Sequence, residues 1–332
     1  MDLKSPWLKQ VAQKVLFLGY LLMLRLRKGK RLIVLERTSG LGDIICCLPA
    51  YQALKQKFPD HLVIFATAKP YDQLLKCCKE IDAVYGAPPG QPFPQEKAAW
   101  LVDRHYEPHT SDERKQGGQK MHLAHAFLND CGLPVTDWQP RISIPAHDQE
   151  SAARRFDLQP GETIIAIHSG RTWPVRELPQ ERWPEIVREL KGHFGGRIIH
   201  FCTPAQLSDH HQPAYDLQDT QLIPGNFDII NTAAILSQCR LLIGIDSGLL
   251  HLAGALAIPT VGVFGAVNPQ YRLPLGTPTK GVHATLPCSF CHHETPIKHW
   301  STGCPHDIQC MKEISVAQVM EAVKSVLAQT SN

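Results

Sequence analysis

Two apolar strands in this chain each run straight into a glycine-bearing turn and then a helix, which leaves few folds open. The first is Arg31-Leu32-Ile33-Val34-Leu35-Glu36, followed by Arg37-Thr38-Ser39-Gly40-Leu41-Gly42-Asp43. The second is Leu241-Leu242-Ile243-Gly244-Ile245, followed by Asp246-Ser247-Gly248-Leu249-Leu250-His251 and a small-residue helix from Leu249 to Ala257. Open α/β sheets bind ligands at the carboxyl ends of their strands, where the free N–H groups of a helix start attract phosphate. Two such junctions about 200 residues apart predict two facing α/β domains with a site between them.

The length agrees. A single core stops growing near about 250–300 residues, and this chain has 332. Strands are expected at Leu32–Glu36 and Leu62–Ala66, with one helix over Asp43–Lys57 between them. Gly86 to Gln119 is rich in proline and polar residues and reads as a long functional or mobile segment. Met121 to Cys131 reads as a helix, Val135 to Pro145 as an extended crossover and Gln149 to Phe156 as a short helix. The pattern then restarts with strands Thr163–His168, Arg197–Cys202 and Thr260–Phe264. Helices are expected over Pro179–Leu190 and Asp228–Ser237, and Ser315-Val-Ala-Gln318 reads as a capping box opening a last helix through Leu327. Alternating strands and helices imply parallel sheets.

Net charge is +3, but it is unevenly placed. Residues 1–31 carry eight Lys or Arg against Asp2 alone, leaving 26 basic and 30 acidic residues elsewhere. A nucleic-acid binder spreads basic charge over its body, so no nucleic-acid partner is expected. The uncharged run Val15 to Leu24 is too short to span a bilayer, which takes about 20 apolar residues. Arg25-Leu26-Arg27-Lys28 stands where a signal peptide would have its small-residue cleavage site. The segment over residues 7–31 therefore reads as a basic amphipathic helix on an anionic membrane surface. The competing reading is a helix packed on the protein's own surface with a rim of solvated cations. Without an export signal, the expected location is cytoplasmic, peripheral on the inner face of the cell membrane.

The chain has 11 cysteines. Seven of them (Cys46, Cys47, Cys77, Cys78, Cys131, Cys202 and Cys239) lie in apolar patterns and read as buried reduced thiols. Cys288, Cys291, Cys304 and Cys310 lie in a Pro-, His- and Gly-rich segment, and four thiolates suit a tetrahedral structural Zn or Fe. A loop of reduced thiols is the alternative.

Gly40-Leu41-Gly42 after a strand invites a dinucleotide reading, and two residues oppose it. Ile45 occupies the place of the third glycine, and Phe65-Ala66-Thr67-Ala68 lacks the acid that would hold the ribose. The loop does offer Asp43, a carboxylate placed at a helix start by two glycines.

Taken with Ile167-His168-Ser169-Gly170-Arg171-Thr172-Trp173-Pro174 and Arg176, these motifs resemble glycosyltransferase family nine, the ADP-heptose:lipopolysaccharide heptosyltransferases and their relatives. The resemblance covers about residues 31–328. It implies a GT-B fold, that is, two facing Rossmann-like domains with parallel sheets and an interdomain cleft. The implied division is a membrane-surface helix over 1–30, an acceptor domain over 31–150 and a nucleotide-sugar domain over 151–332. It also implies inverting transfer of heptose from ADP-heptose to a lipopolysaccharide-core glycolipid, with no cofactor required for catalysis. Asp43 matches the family's base, and Arg176 stands where relatives carry a Lys that meets the donor. Ser169, Gly170, Arg171, Thr172, Asp246, Ser247, Gly248 and His251 match the donor side, and Ser39, Gly40, Leu41 and Gly42 the acceptor-side loop. Gln206 takes the place of a ribose-binding Glu.

Alternatives within the class use another nucleotide-sugar or a protein acceptor. From another class, the rival is a catalytically silent nucleotide- or metal-binding interaction protein. A scaffold would have no need of Asp43.

Overall fold

Each central strand alternates its apolar residues between two packed faces, and this explains the layers on either side. In β1 (Arg31–Glu36), Leu32 and Val34 pack against Phe17 and Leu21 of α1 (Pro6–Lys28), while Ile33 and Leu35 join the core on the other side. That opposite core is built from α2 (Leu41–Cys46), α3 (Leu48–Lys57), α4 (Tyr71–Leu75) and α5 (Leu123–Asp130). With β2 (His61–Ala68), β3 (Ala83–Ala87) and β4 (Val102–Tyr106), β1 forms a parallel sheet in the order β3-β2-β1-β4. These elements come from a computed structural model, which describes residues 6–38, 40–87, 100–109, 120–170, 174–201, 217–223, 228–294 and 303–330.

The second sheet is also parallel, in the order β10-β9-β8-β5-β6-β7. Its strands are β5 (Ile164–His168), β6 (Arg197–Phe201), β7 (Gln221–Ile223), β8 (Leu241–Ile245), β9 (Thr260–Val263) and β10 (Thr279–Val282). Ile165, Ile167, Ile243 and Val261 face Trp183, Ile186 and Leu190 of α7 (Arg182–Phe194) and the closing helix Val316–Ala328. The opposite face carries α6 (Ala146–Phe156), α8 (Ile229–Leu236) and α9 (Gly248–Ala255), and its core is continuous with that of the first sheet. Two parallel-sheet α/β domains joined through one core are the GT-B arrangement expected from the sequence. The expected boundary at 150/151 falls inside α6, which packs on α8 of the second domain.

Two local expectations change and a third holds. The single helix over Asp43–Lys57 is two helices, α2 and α3, meeting at Cys47. Pro49, in the first turn of α3, has no N–H to continue the ladder and ends α2 early. The capping box at Ser315 and Gln318 is present as expected. The N-terminal helix is longer than its apolar run and runs across the sheet. Phe17 and Leu21 are fully buried against it, Tyr20 donates to the Val84 carbonyl at 3.2 Å, and Arg25 donates to the Leu101 carbonyl at 3.2 Å. Its packing on the protein's own surface thus accounts for one face. Val15, Leu16 and Leu26, exposed by 63–74%, lie on the other. No helix among the described residues is long and apolar enough to cross a membrane.

Candidate active site

At the carboxyl edge of the first sheet, β1 delivers Arg37 into the protein and the chain then turns at Gly40, whose φ is +76°. The turn opens α2 and places Asp43 in its first turn. The Asp43 carboxylate pairs with the Arg37 guanidinium and is 31% exposed, whereas Arg37 is 7% exposed. Of the acceptor-side loop, Leu41 and Gly42 are brought to the seam between the domains, Gly40 lies beside Asp43, and Ser39 lies outside the described residues.

Across that seam begins α9. A Cβ on Gly248 would stand 2.8 Å from the Gly42 amide nitrogen, and one on Gly42 would stand 2.7 Å from the His251 ring. Only glycines let the two helix starts approach this closely. Ser247 is the N-cap of α9 but makes no capping bond; its Oγ instead lies 3.1 Å from His168 Nδ1 at the end of β5. Ser169 Oγ lies 2.8 Å from His200 Nε2 at the end of β6. Gly170, with φ +92°, has the Ile245 side chain where a Cβ would be.

Asp246 is buried and faces Arg176, whose Nε is 3.5 Å from Asp246 Oδ2 and whose Nη1 donates to the Asp246 carbonyl at 3.3 Å. Arg176 ends a short 3-10 turn, Pro174–Arg176, after β5. The structure therefore brings Ser169, Gly170, Arg176, Asp246, Ser247 and Gly248 to one sheet edge. Arg171, Thr172 and Gln206 lie outside the described residues.

His251, expected on the donor side, also reaches the first domain. It is buried, its Nδ1 is 3.3 Å from Cys46 Sγ in the first domain, and its ring lies over Gly42. The space beside it, lined by His122, Cys46 and Ala255, is about 20 Å³, which suits a water and not a sugar nucleotide. Burial holds its imidazole neutral, with a pKa of about 3. The same desolvation lowers His168 to about 3, and His122 and His200 to about 4. His251 is part of the interdomain contact. His168 and His200, which orient the two serines, carry no role in the sequence reading, because their partners lie 79 and 31 residues away.

Of the seven thiols read as buried, Cys46, Cys47, Cys78, Cys131 and Cys239 are buried and Cys77 partly so, all of them reduced, and Cys202 lies outside the described residues. Cys291 and Cys310 are also buried, and Cys288 and Cys304 are half-buried. Cys310 is pushed up to about 11 by burial first and then by the neighbouring Cys291, Cys304 and Cys288. The four thiols are thus neighbours. Among the described residues, however, no group of three or more His, Cys, Asp or Glu side chains is arranged to hold a metal ion.

The profile of glycosyltransferase family 9 (heptosyltransferase) matches residues 86–301, well over half of the chain. The chain belongs to this family. Lipopolysaccharide heptosyltransferase 1 of Pseudomonas aeruginosa is 26% identical over 148 residues, which is 45% of this chain and 41% of that protein. The aligned stretch thus spans about two-fifths of the relative's length. Among solved structures, E. coli ADP-heptose lipopolysaccharide heptosyltransferase II aligns with a TM-score of 0.61 at 15% identity, covering 91% of this family 9 chain and 100% of the other. The iron-containing dodecameric glycosyltransferase TibC of enterotoxigenic E. coli H10407 gives 0.69 at 17% identity, covering 91% and 77%. At these identities the structures speak for a shared fold.

Proposed function

We propose that the chain transfers a sugar from a nucleotide-sugar to an acceptor hydroxyl, with Asp43 as general base and Arg176 at the leaving diphosphate. The observation carrying this reading is the meeting of two unlike half-sites across one seam. The start of α2, which carries the partly exposed Asp43 carboxylate, abuts the start of α9 where Gly42 meets Gly248, and Ser247 and the Asp246–Arg176 pair adjoin that start on the second domain. A sugar hydroxyl is a weak nucleophile, so Asp43 takes its proton as the oxygen attacks the anomeric carbon. The bond from that carbon to the diphosphate breaks on the opposite face, which inverts the configuration. Charge then develops on the departing diphosphate, where Arg176 and the free N–H groups of α9 stabilise it.

The donor we propose is ADP-heptose and the acceptor a lipopolysaccharide-core glycolipid. Family membership and the lipopolysaccharide heptosyltransferase relatives support this, as does the determination of TibC in complex with ADP-D-β-D-heptose. The outer face of α1, with Leu16 and Leu26 exposed among Lys and Arg, supports attachment to the inner face of the cell membrane, where such an acceptor lies. A metal at Cys288, Cys291, Cys304 and Cys310 is the remaining expectation. Among the described residues the thiols as placed do not form a ligand set.

The test combines thermal shift with transfer assays. ADP compounds at about 100 times Kd should stabilise the protein by about 2.7 kcal/mol, while UDP, GDP and CMP should not. Asp43→Asn should keep that shift and lose about 10²–10⁴-fold in transfer. Full turnover in that variant would overturn the assignment of the base, and a preference for UDP or GDP would replace the donor. No response to any nucleotide would favour a silent scaffold.

A further inference from the structure

Arg37 is built into the first domain more firmly than a surface cation would be. Its backbone N–H donates to the Ala66 carbonyl at 3.0 Å, which fixes the residue to the end of β2. Its Nη1 donates to the Pro108 carbonyl at 3.2 Å, beyond β4. Its guanidinium carbon lies 5.2 Å from the centre of the Phe127 ring on α5, within cation–π range. One contact thus fixes the backbone and two hold the head group, whose Nη2 donates to Oδ2 of Asp43.

Asp43 is shaped to receive it. A Cβ on Gly40 would stand 2.9 Å from Asp43 Oδ2, and the positive φ of Gly40 already disfavours a side chain. The glycine therefore leaves the corner that the carboxylate occupies on its way back to Arg37. Among the described residues, the buried thiols of Cys46 and Cys47, which burial pushes far up, feel both Asp43 and Arg37, and Asp246 and Arg272 of the second domain act on Cys46 as well.

We propose that Arg37 is the positioning residue for Asp43, a fixed cation that turns the carboxylate and keeps it anionic for the acceptor's proton. This rests on the reading of Asp43 as the base. The fixed guanidinium engages one oxygen of the carboxylate and sets the direction of the other. It also sets the range of pH over which the base works: an opposite charge in contact lowers a carboxyl pKa by about 1–3 units. A base held this way is weaker per encounter and ionised at any physiological pH. A residue that only braced the fold would affect stability and leave the pH dependence of transfer where it was.

The experiment measures kcat/KM against pH for the full-length protein with ADP-heptose and an acceptor, comparing wild type with Arg37→Met, Arg37→Gln and Arg37→Lys. Both neutral variants should lower kcat and move the acid limb up by about 1–3 pH units, with the ADP-induced thermal shift unchanged. Arg37→Lys should return most of the limb, since the point charge is restored without the fork. An acid limb unmoved in the neutral variants, or moved equally in Arg37→Lys, overturns the proposal. Should the neutral variants not fold, a carboxyl-carbon NMR titration of wild type decides, with the Asp43 resonance assigned by its loss in Asp43→Asn. A midpoint below about 3.9 is expected, and one at or above it overturns the proposal. If Asp43→Asn retains turnover, the base reading itself falls. If Asp43→Asn is inactive while the neutral Arg37 variants keep the wild-type limb, only the role of Arg37 falls.

Discussion

His251 of the second domain meets Cys46 of the first across the seam, Nδ1 to Sγ at 3.3 Å, with both side chains buried. Burial keeps the imidazole neutral by lowering its pKa to about 3. His122, His168 and His200 are held neutral in the same way.

These histidines fix the sign of the acid response. Each has a folded pKa below its ordinary value of about 6.5, so between the two values the unfolded chain binds the proton and the folded one does not. Stability is therefore full above about pH 6.5 and falls as the pH drops toward 3–4. Each histidine adds a slope of up to about 1.4 kcal/mol per pH unit. Thermal melting from pH 8 to pH 4 should show this fall, and His251→Gln should make it shallower. A melting temperature that stays flat to pH 4.5 would contradict it.

The glycine contact at the seam should resist even a methyl group. In Gly248→Ala the new carbon meets the Gly42 backbone nitrogen at 2.8 Å, so a backbone has to move. A loss of about 1–3 kcal/mol is expected, with weaker nucleotide binding as the start of α9 shifts. Gly19→Ala is the control: nothing lies within 4 Å, and an alanine in α1 should be neutral or stabilising by up to about 1 kcal/mol. Urea denaturation of both variants measures the difference.

Removing the cation at the donor loop should cost both rate and stability. Arg176→Ala takes the guanidinium away from the buried Asp246 carboxylate and, on the proposed mechanism, from the leaving diphosphate. We expect kcat to fall by about 10²–10³-fold, with a lower melting temperature. Arg176→Lys should keep most of the stability and part of the rate. Steady-state kinetics beside melting curves would separate the two losses.

The outer face of α1 should bind anionic vesicles. Leu16 and Leu26 are exposed by 73% and 74%, so Leu16→Glu with Leu26→Glu should leave the fold intact. At about 1.5 kcal/mol or more per buried leucine, vesicle affinity should fall at least tenfold. Co-sedimentation with phosphatidylglycerol vesicles reads this out, and equal binding by the double variant would remove α1 from the interaction.

Legibility in the sequence followed position in the sheet. The central strands β1, β2, β5, β8 and β9 are buried on both faces and stand out as apolar runs. The strands absent from the expected set are β3, β4, β7 and β10, and these are the four edges of the two sheets. An edge strand such as Val102-Asp103-Arg104-His105-Tyr106 is half-exposed, so it has no apolar run to find. The site divides in the same way. Asp43, Arg176 and Ser247 sit in local motifs beside strand ends and could be named. The contact of His251 with Cys46 spans 205 residues of sequence and exists only once the domains are packed. Arg37 could have been noticed as a cation directly following a buried strand.

The clamped face of α1 has a geometric consequence. Phe17 lies against Tyr85, level with the end of β1, while Arg25 reaches Leu101, level with its beginning. The helix therefore crosses the sheet obliquely, from β3 to the start of β4, and lies flat on its face. Any bilayer resting on its outer side would lie parallel to the strands, and the carboxyl edge that bears Asp43 would face along the bilayer plane. An acceptor anchored in that leaflet would arrive by sliding sideways, turning a search through volume into a search across an area.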